Sequence, residues 1–121
     1  MKSTLNLVAA ALILAGMSCR RPDAEPQPGV RVITLAPSLT EIVCAIGGRD
    51  LLVGRTSACD YPPDAAGVKV IGGFGAPSME LLTAAAPTLI LDVALEDETI
   101  GQRIERLGLR RERIRCQKLD E

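Results

Sequence analysis

The chain has 121 residues, 47% of them hydrophobic and 24% charged, with a formal net charge of -1; this balance is that of a globular chain with room for one modest domain. Aromatic residues make up 2%, Tyr61 and Phe74, and histidine is absent. That composition excludes a base-stacking or phosphate-tracking nucleic-acid surface, and it removes Ser-His and Cys-His nucleophile pairs and the commonest metal ligand.

Lys2 precedes an apolar run from Leu7 to Met17, about half of the roughly 20 residues that a membrane span needs but suited to an exported leader. Residues 1–18 therefore read as a signal peptide and residues 19–29, rich in proline and polar groups, as a flexible tether. Gly16-Met17-Ser18-Cys19 resembles a lipobox, with Gly16 where an aliphatic residue is usual; Cys19 is then the expected site of acylation and the route to a membrane. Ordinary secretory cleavage near Ser18 is the alternative. The four cysteines, at 19, 44, 59 and 116, contain no C-x-x-C pair, so no zinc ribbon or redox motif is expected. In an oxidising compartment Cys44 and Cys59 form a bridge or remain as two small buried thiols.

Residues 30–121 read as one α/β unit. Val30 to Leu35 is aliphatic and β-branched and predicts a buried strand. Ser38 and Glu41 have capping-box spacing, Leu39, Ile42, Val43 and Ile46 recur at helical intervals, and Gly47-Gly48 supplies the stop, which predicts an amphipathic helix. Leu51 to Gly54 predicts a second strand. Beyond the loop Cys59-Asp60-Tyr61-Pro62-Pro63, Val68 to Ile71 predicts a third. Gly72-Gly73-Phe74-Gly75 turns the chain toward a helix opened by Pro77 and Ser78 and ended before Pro87. Thr88 to Val93 predicts a further buried strand. A last helix starts at Glu96-Asp97-Glu98, carries Ile100, Ile104 and Leu107 on one face, has Arg103 and Arg106 near its end and stops at Gly108. Arg113 to Lys118 is a candidate edge strand. Half of the 14 lysines and arginines lie between Arg103 and Lys118, interleaved with Glu105, Glu112, Asp120 and Glu121 in the pattern of a solvated helix face and strand end. Strands alternating with helices in this way predict a Rossmann-like parallel sheet flanked by helices.

No cofactor is expected. Gly73-Phe74-Gly75-Ala76-Pro77-Ser78 echoes the dinucleotide fingerprint, but it ends in serine, and Pro77 removes an amide where a pyrophosphate needs a donor. Asp60, Glu80 and Asp92 are too far apart in sequence to be paired for acid-base work, so an enzyme is not expected.

Five segments in order carry a family resemblance: Arg31-Val32-Ile33-Thr34-Leu35-Ala36-Pro37-Ser38-Leu39-Thr40-Glu41, Val53-Gly54-Arg55, Cys59-Asp60-Tyr61-Pro62-Pro63, Ser78-Met79-Glu80-Leu81-Leu82 and Ala86-Pro87-Thr88-Leu89-Ile90. From about Arg31 to Leu109 the chain resembles the class III periplasmic binding proteins of ABC importers, the vitamin B12 and iron-siderophore group, and most of all its cobalamin-binding branch. The resemblance implies two α/β lobes with ligand between them, of which residues 30–121 match the amino-terminal one. It further implies that Ala36, Pro37 and Ser38, Ala58 and Tyr61, and Phe74 and Gly75 line the cleft, and that Glu80 docks on arginines of an ABC permease. The implied ligand is cobalamin or a ferric chelate such as haem. Ala58 and Val93 stand where the cobalamin binders place aromatics against the corrin, and Phe74 stands for a tryptophan, so stacking area is reduced. A truncated or split-gene fragment that keeps the fold as an interaction module is the alternative.

Overall fold

The computed structural model describes residues 29–93 and 98–115. The leader, Cys19, Cys116 and all of the tether but Gly29 lie outside them. Among the described residues six strands and three α-helices follow in chain order, besides short 3-10 turns at Arg49–Leu51 and Pro63–Gly67: β1 (Val32–Thr34), α1 (Pro37–Ala45), β2 (Leu52–Arg55), β3 (Gly72–Gly73), β4 (Ala76–Pro77), α2 (Met79–Ala84), β5 (Leu89–Val93), α3 (Thr99–Arg106) and β6 (Arg111–Ile114). Four of the strands form one sheet in the order β2-β1-β5-β6, with every neighbouring pair parallel. This is the expected parallel α/β layer, and β1 lies inside the sheet because all three of its residues are apolar or hydroxyl-capped and buried.

The alternation of β1 divides the core. Val32 packs with Val43, Leu52 and Val68 on the α1 face, whereas Ile33 and Leu35 pack with Ile71, Leu82, Ile90 and Ile104 on the face covered by α2 and α3. Leu82 and Ile104 are each an anchor for their helix, since each is fully buried; truncating such a side chain to alanine typically costs about 2–5 kcal/mol.

The first helix departs from its expected frame. Pro37 occupies the first helical turn and Ala36 is the cap residue, with no side-chain cap. The pyrrolidine ring presets the helical φ, so the helix begins ahead of Ser38 and the Ser38–Glu41 capping box does not form. The buried face is Leu39, Thr40 and Val43; Ile42 and Ile46, expected on it, are exposed. Thr40 turns inward because its hydroxyl is paired with that of Thr34 at 2.7 Å. The stop is as expected: Gly47 adopts φ 86°, its amide donates to the Cys44 carbonyl, and Gly48 donates to that of Val43 at 2.8 Å, a Schellman closure.

Val68–Ile71 is not a full strand. It makes a single parallel bridge, Arg55 to Val70, because β2 ends at Arg55 and the chain turns away at Thr56, leaving no further rungs to pair. β3 and β4 then form a small antiparallel hairpin, closed at Phe74–Gly75 with Gly75 at φ 72°. Pro77 thus belongs to a strand rather than to the first turn of α2; the cap is Ser78, whose Oγ accepts from the Leu81 amide at 3.3 Å. Arg31 closes the other end of α2, donating to the Ala85 and Ala86 carbonyls at 2.8–3.1 Å.

On α3, Ile104 is buried as expected but Leu107 is exposed, since the helix ends at Arg106 and Leu107 falls on the cap. The inward place is taken by Gly101, which is buried. Glu96 and Asp97 lie outside the described residues. The edge strand begins at Arg111, two residues earlier than expected, with Ile90 opposite Arg111 and Asp92 opposite Arg113; residues 116–118 of the expected strand lie outside the described residues.

Candidate functional site at the carboxyl edge of the sheet

From β1 the chain runs by way of α1 to β2 on one side, and by way of α2 to β5 on the other. The strand order therefore reverses between β1 and β5, and the crevice outside the carboxyl ends of those strands is where open α/β sheets hold ligands. The segment that leaves β1 is Leu35-Ala36-Pro37-Ser38. The segment that leaves β2, its parallel neighbour, carries Ala58 and Tyr61. The β3–β4 hairpin with Phe74 and Gly75 is held to it by a bond from the Ser57 amide to the Gly72 carbonyl, 2.8 Å. All three expected segments thus share one edge.

Within that edge the side chains divide. Ser38, Ala58, Tyr61 and Phe74 are exposed, the two aromatics at 61% and 49% of full exposure; Pro37 and Gly75 are half-buried and Ala36 is buried. Ala36 consequently contributes backbone to the edge and its methyl group to the core. Glu80 is exposed in the first turn of α2. Val93 ends β5 at the same edge, half-buried.

Cys44 and Cys59 are both free thiols, which corrects the bridged alternative. The Cys59 sulfur is buried and lies 3.1 Å from the Thr56 hydroxyl, whereas Cys44 packs on α1 with Val32, Val43, Leu52 and Val68. Burial pushes the Cys44 thiol above its usual value, partly offset by Arg49, so it is a poorer nucleophile than a free cysteine. Among the described residues no cluster of three or more cysteine, aspartate or glutamate side chains could hold a metal ion, and no helix is long and apolar enough to cross a membrane.

Two charged arrangements had no signal in the sequence strong enough to find them. Arg55, the last residue of β2, donates to the carbonyls of Ala65 at 2.8 Å, Cys59 at 2.9 Å, Ala66 at 3.2 Å and Thr56 at 3.3 Å. The solvated reading of the basic cluster holds for Arg103, Arg106, Arg110 and Arg115, which are exposed, but not for Arg111. Its side chain is 5% exposed and meets Asp92 at 3.0 Å, Glu98 at 2.8 Å and Glu105 at 2.9 Å. Burial opposes its charge, but the three carboxylates outweigh burial and hold its pKa above the ordinary arginine value. Alternation in β6 was the available clue: Arg111 and Arg113 share the face turned to α3, while Glu112 and Ile114 take the other.

No protein-family model matches the chain. It is 37% identical over 68 residues to the vitamin B12-binding protein of Vibrio cholerae, covering 56% of this chain and 25% of that protein. With the vitamin B12-binding protein of Photorhabdus laumondii it shares 36% over 90 residues, 74% of this chain and 32% of the relative. Among solved structures, the periplasmic vitamin B12-binding protein of Vibrio cholerae superposes with a TM-score of 0.65 at 30% identity, over 73% of this chain and 35% of that one. Over the matched residues the chain is thus similar to periplasmic vitamin B12-binding proteins. The periplasmic haem-binding protein of Roseiflexus sp. RS-1 matches with the same TM-score, 0.65, at 26% identity, over 71% of this chain and 34% of its own length. The chain thus spans about a quarter to a third of the length of the binding-protein relatives it matches.

Proposed function

We propose that the chain is one lobe of a substrate-binding protein of an ABC importer, capturing cobalamin or a ferric chelate such as haem by reversible contact, without chemistry. The observation that carries this reading is the exposure of the only two aromatic residues, Tyr61 and Phe74, on two loops joined by the Ser57–Gly72 bond beside the reversal of strand order. Aromatic faces left in water at a sheet's ligand edge are the contact area that a large flat ligand needs. Ala58 and Ser38 beside them are small and leave room for it. The relatives named for vitamin B12 and haem support the ligand class. In this reading the protein works in the periplasm or at the cell surface, held to a membrane by lipid on Cys19, and the exposed Glu80 is the contact to the permease.

The test is an NMR titration of the full chain with cyanocobalamin and with hemin. Amide shifts are expected to be confined to residues 36–38, 57–61 and 72–76, with a weak dissociation constant. One lobe covers about half of a ligand that is normally 70–90% enclosed, and each 1.4 kcal/mol lost is about tenfold in affinity. Absence of shifts at those loops with both ligands would refute the site; submicromolar binding by the monomer would refute its being half a cleft. Glu80→Gln should leave the shifts unchanged and reduce uptake by cells carrying the complete importer; unaltered uptake would remove Glu80 from the permease contact.

A further inference from the structure

We propose that Arg55 is a positioning residue for the candidate binding loop, holding the segment 56–66 in the shape that presents Ala58 and Tyr61; this rests on the ligand-facing reading of that loop. The guanidinium donates through all three nitrogens: Nε to Ala65, Nη1 to Thr56 and Cys59, and Nη2 to Ala66. Its four acceptors form two pairs, Thr56 and Cys59 at the start of the loop and Ala65 and Ala66 at its end. Ala58 stands within the first pair and Asp60, Tyr61 and Pro63 between the two, all exposed.

Within this loop only Thr56, Cys59 and Ala65 are buried, and fixing the backbone costs about 1–2 kcal/mol per residue in entropy. The other ties within it are short-range: the Cys59 amide to the Thr56 carbonyl at 3.1 Å, the Thr56 hydroxyl with the Cys59 sulfur at 3.1 Å and the Ala65 amide to the Pro62 carbonyl at 2.8 Å; Ser57 and Asp64 are tied outward, to Gly72 and to the Arg49 guanidinium. Arg55 alone among these contacts joins the two ends. Its charge has no carboxylate partner among the described residues; it is directed at carbonyl oxygens, where charge-assisted hydrogen bonds are about twice as strong as neutral ones. The separation of the acceptors requires a planar fork. A lysine ammonium, with its donors at one point, reaches one pair and leaves the other.

Because Tyr61 is the only tyrosine and tryptophan is absent, intrinsic fluorescence anisotropy reports on this loop alone. Arg55→Lys and Arg55→Met should both lower the Tyr61 anisotropy and speed amide exchange at residues 57–61 by at least about tenfold, the exchange of β1 and β5 staying as in the parent. A merely structural arginine would instead raise exchange in the strands by the same factor, and that result would overturn the proposal, as would full rescue by lysine. Should a variant fail to fold, the unmodified chain decides: the Arg55 Nε–H proton is expected to exchange at least about tenfold more slowly than those of the exposed Arg103 and Arg106, and equal rates would overturn the clamp. Cyanocobalamin and hemin are then titrated into the parent and Arg55→Lys. Weaker shifts at residues 57–61 in the variant support positioning. If the variants loosen the loop but neither ligand shifts it in the parent, the clamp stands and the ligand-facing reading falls.

Discussion

Gly101 and Arg111 occupy one space between α3 and β6. A Cβ at position 101 would overlap the Arg111 guanidinium, and that group cannot step aside without leaving Asp92, Glu98 and Glu105. Alanine is the better helix former by about 1 kcal/mol, yet Gly101→Ala is expected to destabilise the protein by about 1–3 kcal/mol, because it separates partners of a largely buried pair. Urea midpoints for Gly101→Ala, Arg111→Met and the double variant check this: the alanine should cost much less once the arginine is gone. Equal costs in both backgrounds would place the strain elsewhere. The sequence offered no route to this pairing. Gly101 reads as a weak point in a helix and Arg111 as one of six arginines in a charged stretch; the alternation along β6 and its register against β5 turn that arginine inward.

At the scale of elements, α3 is joined to the sheet through charge as well as through Ile104. Glu98, at its start, is drawn below the ordinary glutamate value of 4.5 by its hydrogen bond to Arg111, which burial opposes and to which the charges of Arg113, Arg111 and Arg115 add. A carboxylate with a depressed folded-state pKa adds stability above its unfolded value and loses it as the pH falls through the folded one. Stability should therefore decline as the pH drops below about 4.5, and Glu98→Gln should flatten that part of the profile. Urea midpoints from neutral pH down to about pH 3 test it; an unaltered profile in the variant would assign the acid sensitivity to other carboxylates. The elements themselves were largely legible. β1, β2, β5, α2 and the Gly47-Gly48 stop follow from apolar runs and turn residues. The frame of α1 did not follow, because four apolar positions at helical spacing carry no mark of which side meets the sheet. The Thr34–Thr40 hydroxyl pair decides that, and it is a contact between elements.

For the molecule as a whole, the parallel sheet was legible because each crossover leaves a strand-helix-strand pattern, and the edge that gathers Ser38, Ala58, Tyr61 and Phe74 follows once the strands are parallel. Arg55 and Arg111 were not legible, since both act on partners set by tertiary folding. The membrane attachment is tested on the intact chain: Cys19→Ser is expected to shift it from the membrane to the soluble fraction and to abolish labelling by a palmitate analogue. Identical fractionation of parent and variant, neither being labelled, would remove the lipid anchor. The sheet also has an outer border in β6, where peptide groups on one side have no neighbouring strand among the described residues. Such a border is a template on which another chain can crystallise into the sheet. A second copy laid antiparallel on it would set arginine against arginine whichever of Arg111, Glu112 or Arg113 lay on the axis. The strand that anchors α3 from within thus also discourages fibrous growth from without.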